Sequence, residues 1–319
     1  MSEPIRVLIA DDMSKKAVEV LSGAGFSVDV KTGMKPEELA AVIGQYHGVG
    51  VRSASKIKAD TLANPGKLKI IGRAGVGVDN IDVKAATEKG ILVINTPQGN
   101  AAAAAELAIG LMFALARKIP QAADTMRHGI WEKKKFMGVE IAGKTLGVVG
   151  LGNIGRQAAE RGVGLKMNVI GYDPFPPKQL PAGVKQVTLD EVIAKSDFIT
   201  LHIPLVAETK NLFSAATFAK MKKGSYLINC ARGGVVDEGA VLEALTSGQL
   251  AGAALDVFGK EPPDPAPLFQ HENLIASPHL GASTREAQEK VAIVLAEVFV
   301  GFLKDGIVRN AVGTPRSSG

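Results

Sequence analysis

Short apolar runs alternate with stretches of helical periodicity from the start of the chain. Residues 6–10, 27–30, 48–51, 69–72 and 91–95 read as strands, and 15–24, 36–43 and 83–89 as helices. Such alternation predicts a parallel sheet with helices on both faces. The pattern restarts after a long apolar helix predicted over 101–117, with strands at 144–150, 169–172, 198–201, 226–229 and 274–276. The expectation is an α/β protein with two doubly wound parallel-sheet domains, the second over roughly 99–282. A last helix is predicted over 286–303, a brief strand over 308–311, and disorder in the Ser/Gly/Pro-rich stretch 313–319.

Composition narrows the class of protein. A chain of 319 residues exceeds one ordinary core. With 46% hydrophobic and 22% charged residues it reads as soluble and globular. The longest apolar stretch, 101–116, is broken by Glu106 and is too short for a membrane span, so it predicts a buried or interface helix and no membrane partner. The N-terminal residues lack the pattern of a secretory leader. The single cysteine, Cys230, excludes an internal disulfide framework and fits a reducing, cytoplasmic setting. The net charge of +5 is spread among acidic residues, without the concentrated stripe that nucleic-acid binding requires. One local cluster, Arg127, Lys133, Lys134 and Lys135 around Trp131, reads either as a solvated turn or as an anion-attracting rim. No metal is expected.

The strand at 145–149 runs into Gly150-Leu151-Gly152-Asn153-Ile154-Gly155. Gly150 permits a tight turn, Gly152 lets backbone approach a pyrophosphate, and Gly155 lets the next helix pack close to the strand. Phosphates then meet the helix N-terminus, where free N–H groups and the dipole favour anions. The following strand ends in Asp173, which suits the adenosine ribose hydroxyls and repels a 2′-phosphate. Pro174-Phe175-Pro176-Pro177 supplies no arginine to offset that repulsion, so NAD is expected over NADP. A second glycine loop, Gly75-Val76-Gly77, lacks the third glycine; it reads either as a plain turn or as a backbone nest for a carboxylate.

Three further residues follow predicted strands. Arg232, in Asn229-Cys230-Ala231-Arg232-Gly233-Gly234, offers a planar cation for a carboxylate and carbonyl. Glu261 lies in a proline-stiffened loop, and His279 in Ser277-Pro278-His279-Leu280-Gly281. Histidine is the natural acid/base for a 2-hydroxy acid, and a carboxylate on its other nitrogen would orient the ring. Cys230 itself reads as a buried strand-end thiol.

The runs 72–80, 229–234 and 277–284 resemble those of the D-isomer-specific 2-hydroxyacid dehydrogenases, over nearly the whole chain. Residues 131–138 and 252–258 resemble more narrowly the branch acting on D-3-phosphoglycerate. The resemblance implies a Rossmann NAD domain (99–285) inserted in a flavodoxin-like substrate domain (1–98 plus 286–319). It implies that His279 is the acid/base, Glu261 its partner and Arg232 the substrate anchor. Val76, Asn153, Ile154, Asp173, Ile203, Cys230, Ala231, Arg232, Asp256, His279, Gly281 and Ala282 would join the glycines around NAD. Arg52, Ser53, Gly75, Val76 and Lys133 would meet the substrate, a small anionic and phosphorylated 2-hydroxy acid. It further implies a homodimer or homotetramer paired through cofactor domains, while longer members carry C-terminal regulatory domains. Two other readings stay open: a hydroxypyruvate, glyoxylate or other 2-hydroxyacid reductase, and an NAD-sensing corepressor-like scaffold.

Overall fold

A computed structural model describes residues 3–313. These divide into two compact units, one of residues 3–100 with 282–313 and the other Ala101–Gly281. The first run contains β1 (Arg6–Ile9), α1 (Lys16–Gly23), β2 (Ser27–Val30), α2 (Pro36–Val42), β3 (Gly48–Val51), β4 (Ile70–Arg73), α3 (Val83–Glu88) and β5 (Leu92–Ile94). All five strands pair in parallel, in the order β2-β1-β3-β4-β5. This is the flavodoxin-like order, with a reversal beside β1.

The second unit opens with α4 (Ala101–Arg117) and α5 (Ile119–Arg127). It continues through β6 (Thr145–Val149), α6 (Asn153–Gly164), β7 (Asn168–Tyr172), β8 (Val184–Gln186), α7 (Leu189–Lys195), β9 (Phe198–Leu201) and α8 (Ala215–Lys220). Its last elements are β10 (Ser225–Asn229), α9 (Glu238–Thr246), β11 (Leu250–Leu255) and β12 (Leu274–Ala276). The seven strands are parallel, ordered β12-β11-β10-β9-β6-β7-β8. The chain order reverses between β6 and β9, and in open α/β sheets ligands bind beyond the strand ends at such a reversal. α4 buries Ala104, Ala105, Ala108, Leu111, Met112 and Leu115, so its apolar run is largely core of this unit. No described helix is long and apolar enough to cross a membrane.

The chain then returns to the first unit as α10 (Arg285–Asp305), capped at its start by the Thr284 hydroxyl. Val291, Leu295 and Phe299 of α10 pack into that unit's core, and the Phe299 ring fills the space above Gly48 and Gly72. A methyl on Gly72 would lie 2.5 Å from that ring, which accounts for glycine in an otherwise branched strand.

Two details depart from the sequence reading. Residues 308–311 form no strand; Ala311 makes one antiparallel bridge to Ile94, and Val312 N–H reaches the Val93 carbonyl. This short contact covers the open edge of β5 without extending into a ladder. β8 and β11 are additional to the expected strands. The small residues of β11 carry none of the branched side chains by which strands are recognised. The predicted disorder falls, Gly313 apart, on 314–319, outside the described residues.

Candidate active site

The loop after β6 has the geometry a dinucleotide needs. Gly150 adopts φ +92, and a Cβ there would lie 2.5 Å from the His202 carbonyl oxygen. A Cβ on Gly155 would lie 1.8 Å from the Gly150 carbonyl oxygen, so the first turn of α6 packs directly on the loop. At Gly152 a Cβ would meet nothing within 4 Å, leaving an open face at the N-terminus of α6. Asp173 joins this loop to its own: Oδ2 accepts the Leu151 N–H at 2.7 Å and Oδ1 the Phe175 N–H at 2.8 Å. Each oxygen retains a lone pair for a ribose hydroxyl. Gly152, Asn153, Ile154 and Asp173 thus fit a dinucleotide, and Ile203 lies in the neighbouring loop after β9. Val76 and Ala282 belong to the other unit.

Beneath the loop lies His202, which no sequence motif singles out. Its Nε2 and the Thr200 hydroxyl are 3.0 Å apart, and Nδ1 has no partner. Burial pushes its pKa down to about 4, so the ring is neutral near pH 7.

Arg232, Glu261 and His279 come from the loops after β10, β11 and β12, which are adjacent in the sheet. His279 Nδ1 and Glu261 Oε2 are 2.7 Å apart, and Glu261 Oε1 accepts the Phe258 N–H at 3.1 Å. His279 stands at φ +55, a left-handed conformation uncommon for a residue with a side chain. Asp256 holds it there. Its fully buried carboxylate accepts the Ser277 hydroxyl at 2.6 Å, the Leu280 N–H at 2.7 Å and the Gly281 N–H at 2.8 Å. The Asp256 carbonyl accepts the His279 N–H. Asp256 thus spends its carboxylate on the loop around His279.

Arg232 is placed by a buried asparagine. Asn229 Oδ1 accepts the Ala231 N–H, and Asn229 Nδ2 donates to the Arg232 carbonyl. Next to it, a Cβ on Gly233 would lie 1.8 Å from the Phe258 carbonyl oxygen. That close approach lets the Arg232 and Glu261 loops pack against each other. Cys230 is buried, and desolvation drives its thiol pKa upward, as suits an inert strand-end residue.

The other candidates lie on two loops of the first unit. Arg52 and Ser53 follow β3, and Gly75 and Val76 follow β4. Arg52 Nη1 donates to the Asp12 carbonyl at 3.0 Å, while Ser53 is exposed. Arg73, not singled out from sequence, reaches the Arg52 carbonyl with Nε at 3.4 Å and lies over Gly75. Its position at the end of β4, beside the glycine loop, was the available signal. Lys133 lies in an exposed turn with Trp131 and Met137, which are 78% and 81% exposed.

Residues 109–281 match the family described as D-isomer specific 2-hydroxyacid dehydrogenase, NAD binding domain. A D-3-phosphoglycerate dehydrogenase of Archaeoglobus fulgidus is 49% identical over 314 residues, covering 98% of this chain and 60% of that protein. The enzyme of the same name from Homo sapiens is 51% identical over 301 residues, covering 94% and 56%. The chain therefore spans less than two thirds of the length of these relatives. A crystal structure of a Thermus thermophilus protein superposes with a TM-score of 0.89 at 34% identity, covering 97% of this chain and 100% of that one.

Proposed function

Because this chain belongs to the D-isomer specific 2-hydroxyacid dehydrogenases, we propose that it oxidises D-3-phosphoglycerate to 3-phosphohydroxypyruvate with NAD, the first step of the phosphorylated route to serine. The observation that carries the chemistry is the His279–Glu261 pair, set on the same sheet as the dinucleotide loop. Glu261 commits His279 Nδ1, so Nε2 takes the proton of the C2 hydroxyl. Arg232 holds the carboxylate and C2 oxygen, restraining the substrate near its reactive geometry. When bound, NAD supplies the acceptor for the hydride leaving C2. Glu261 keeps the ring oriented as it takes the proton, which passes to solvent on product release.

Phosphoglycerate is favoured among 2-hydroxy acids by the names of the relatives and by the Arg52–Ser53 loop. Cations there would improve both affinity and capture of a multiply charged anion. Exposed Ile119, Met126, Ile130, Trp131 and Met137 support pairing of two copies through the second unit, as a homodimer or within a homotetramer. Lys133 lies in the same stretch, where it can supplement a partner's anion site. A single, buried cysteine suits a reducing cytoplasm.

A spectrophotometric NADH assay across 3-phosphoglycerate, glycerate, lactate and 2-hydroxyglutarate tests the reading. The expected result is the highest kcat/KM with 3-phosphoglycerate. A higher value for glycerate or lactate would move the assignment to another 2-hydroxy acid. NADH binding without turnover of any of them would leave an NAD-sensing scaffold.

A further inference from the structure

Two side chains with no role in the site described above grip the Arg52 loop from opposite sides. Asp11, just past β1 and 3% exposed, points its carboxylate at the loop's N–H groups. Oδ2 accepts the Arg52 N–H at 2.6 Å, and Oδ1 accepts the Ser55 N–H at 3.0 Å and the Ser55 hydroxyl at 2.6 Å. Asn80 takes the carbonyls instead. Its Nδ2 donates to Arg52 O at 2.8 Å and to Ser55 O at 2.7 Å. Both backbone groups of residues 52 and 55 are therefore bound by side chains.

This arrangement has two chemical consequences. Backbone N–H groups converging in a loop can themselves bind an anion, but here the protein's own carboxylate occupies those of Arg52 and Ser55. An incoming phosphate meets the loop's side chains, with the Arg52 guanidinium foremost. Asn80 also belongs to the loop that carries Gly75 and Val76, so its two hydrogen bonds tie the Arg52 loop to the candidate carboxylate loop, where the Gly75 N–H is itself turned back onto the Arg73 carbonyl at 2.9 Å. Arg73 adds a third link, from the end of β4 to the Arg52 carbonyl. These side-chain links add to backbone bonds between the same two segments, Ile57 N–H to the Asn80 carbonyl and Asp82 N–H to the Ile57 carbonyl, so the spacing of the two loops is held at both ends of the 52–57 stretch.

We propose that Asp11 and Asn80 are positioning residues that fix the separation of the 52–55 and 75–76 loops and so select a 2-hydroxy acid with a second anionic group at its far end. The inference rests on reading the Arg52 loop as the phosphate site. A substrate with a single carboxylate uses only one of the two loops and is indifferent to their spacing. A phosphorylated one must satisfy both at once.

The test uses Asp11→Asn and Asn80→Asp, which keep side-chain shape while placing a donor against donors or an acceptor against carbonyls. In each variant the ratio of KM for 3-phosphoglycerate to KM for lactate should rise about tenfold, the worth of one charge-assisted hydrogen bond. NADH affinity, measured by fluorescence, should stay close to that of the parent protein. Asp11→Asn added to Arg52→Ala should change the ratio no further, because Asp11 acts through Arg52. Equal KM increases for both substrates, or additive effects with Arg52→Ala, overturn the proposal. If Asp11→Asn does not fold, Asn80→Asp decides, since Asn80 is only half-buried. If Arg52→Ala leaves the ratio unchanged, the phosphate reading itself fails. If Arg52→Ala raises the ratio and neither positioning variant does, only the present inference fails.

Discussion

Replacing Asp256 by asparagine keeps the side chain's shape, removes its charge and asks how His279 is held. In the structure one fully buried carboxylate serves Ser277, Leu280 and Gly281, on both sides of the histidine. Those bonds maintain His279 at φ +55, a backbone state that costs roughly 1–3 kcal/mol for a residue with a side chain. An asparagine oxygen could still accept from Ser277 and Leu280. Its amide would then face the Gly281 N–H, donor against donor. One hydrogen bond to a charged group is lost, worth about 1.5–3 kcal/mol, and the buried Gly281 N–H is left without an acceptor. Unfolding in urea should show a loss of about 2–4 kcal/mol. The strained turn is the part expected to relax. A shift of the imidazole by about 1 Å can cost on the order of 10²-fold in rate, so kcat should fall to that extent. NADH affinity should fall far less, because Asp256 has no exposed surface to offer a cofactor. Steady-state kinetics beside NADH fluorescence titration separate the possibilities. Parental kcat in a destabilised variant would refute the positioning argument. Loss of NADH affinity matching the loss of kcat would make Asp256 a cofactor contact instead.

Gly233→Ala should drive apart the Arg232 and Glu261 loops, since its methyl would lie 1.8 Å from the Phe258 carbonyl oxygen. A roughly 10²-fold fall in kcat/KM with NADH binding retained is expected, and unchanged kinetics would show that the two loops need not touch. His202 predicts a pH dependence of stability. Its folded pKa of about 4 lies below the ordinary value of 6.5, so the unfolded chain binds the proton more readily. The stability due to the neutral ring is full above about pH 6.5 and is lost as pH falls towards 4, by up to about 3 kcal/mol. His202→Gln should flatten the urea-unfolding free energy across that window, and an unchanged slope would contradict the assignment.

How much of this was legible in the sequence depended on range. The glycine loop could be read directly because its requirements are local: a turn, a close approach and a helix start within six consecutive residues. Asp173 could be read for the same reason. β11 could not, because Leu250-Ala251-Gly252-Ala253-Ala254-Leu255 reaches its place through neighbours on both sides and not through its own preference. The return of α10 to the first sheet left no mark on periodicity. It is fixed by Leu295 meeting Gly50 and Phe299 meeting Gly48 and Gly72, far earlier in the chain. Asn229, Asn80 and Ser277 carry no signal in the sequence because each bonds to groups whose proximity only the fold creates. For Arg232, Glu261 and His279, residue type raised the possibility of a site, while their grouping came from the resemblance and their geometry from the structure.

Three aspartates show a common device. Asp11, Asp173 and Asp256 each follow a parallel strand closely, and each spends its carboxylate on backbone N–H groups of loops at that end of the sheet. Loops leaving parallel strands carry N–H groups that the ladder cannot satisfy, and burying them without acceptors would be costly. A carboxylate has about four acceptor positions, so one such side chain can organise two segments. What distinguishes the three is how much acceptor capacity remains and whether it can be reached. Asp173 is partly exposed with lone pairs to spare, so it can also meet a ribose. Asp256 and Asp11 are sealed and serve only to hold neighbours, one around the acid/base and the other beneath the proposed phosphate loop. An acidic residue ending an apolar strand is therefore ambiguous in sequence between ligand contact and loop anchor. Exposure in the folded protein separates these roles, which is why the same sequence signal points to a ribose contact at Asp173 and to kcat and KM tests at Asp256 and Asp11.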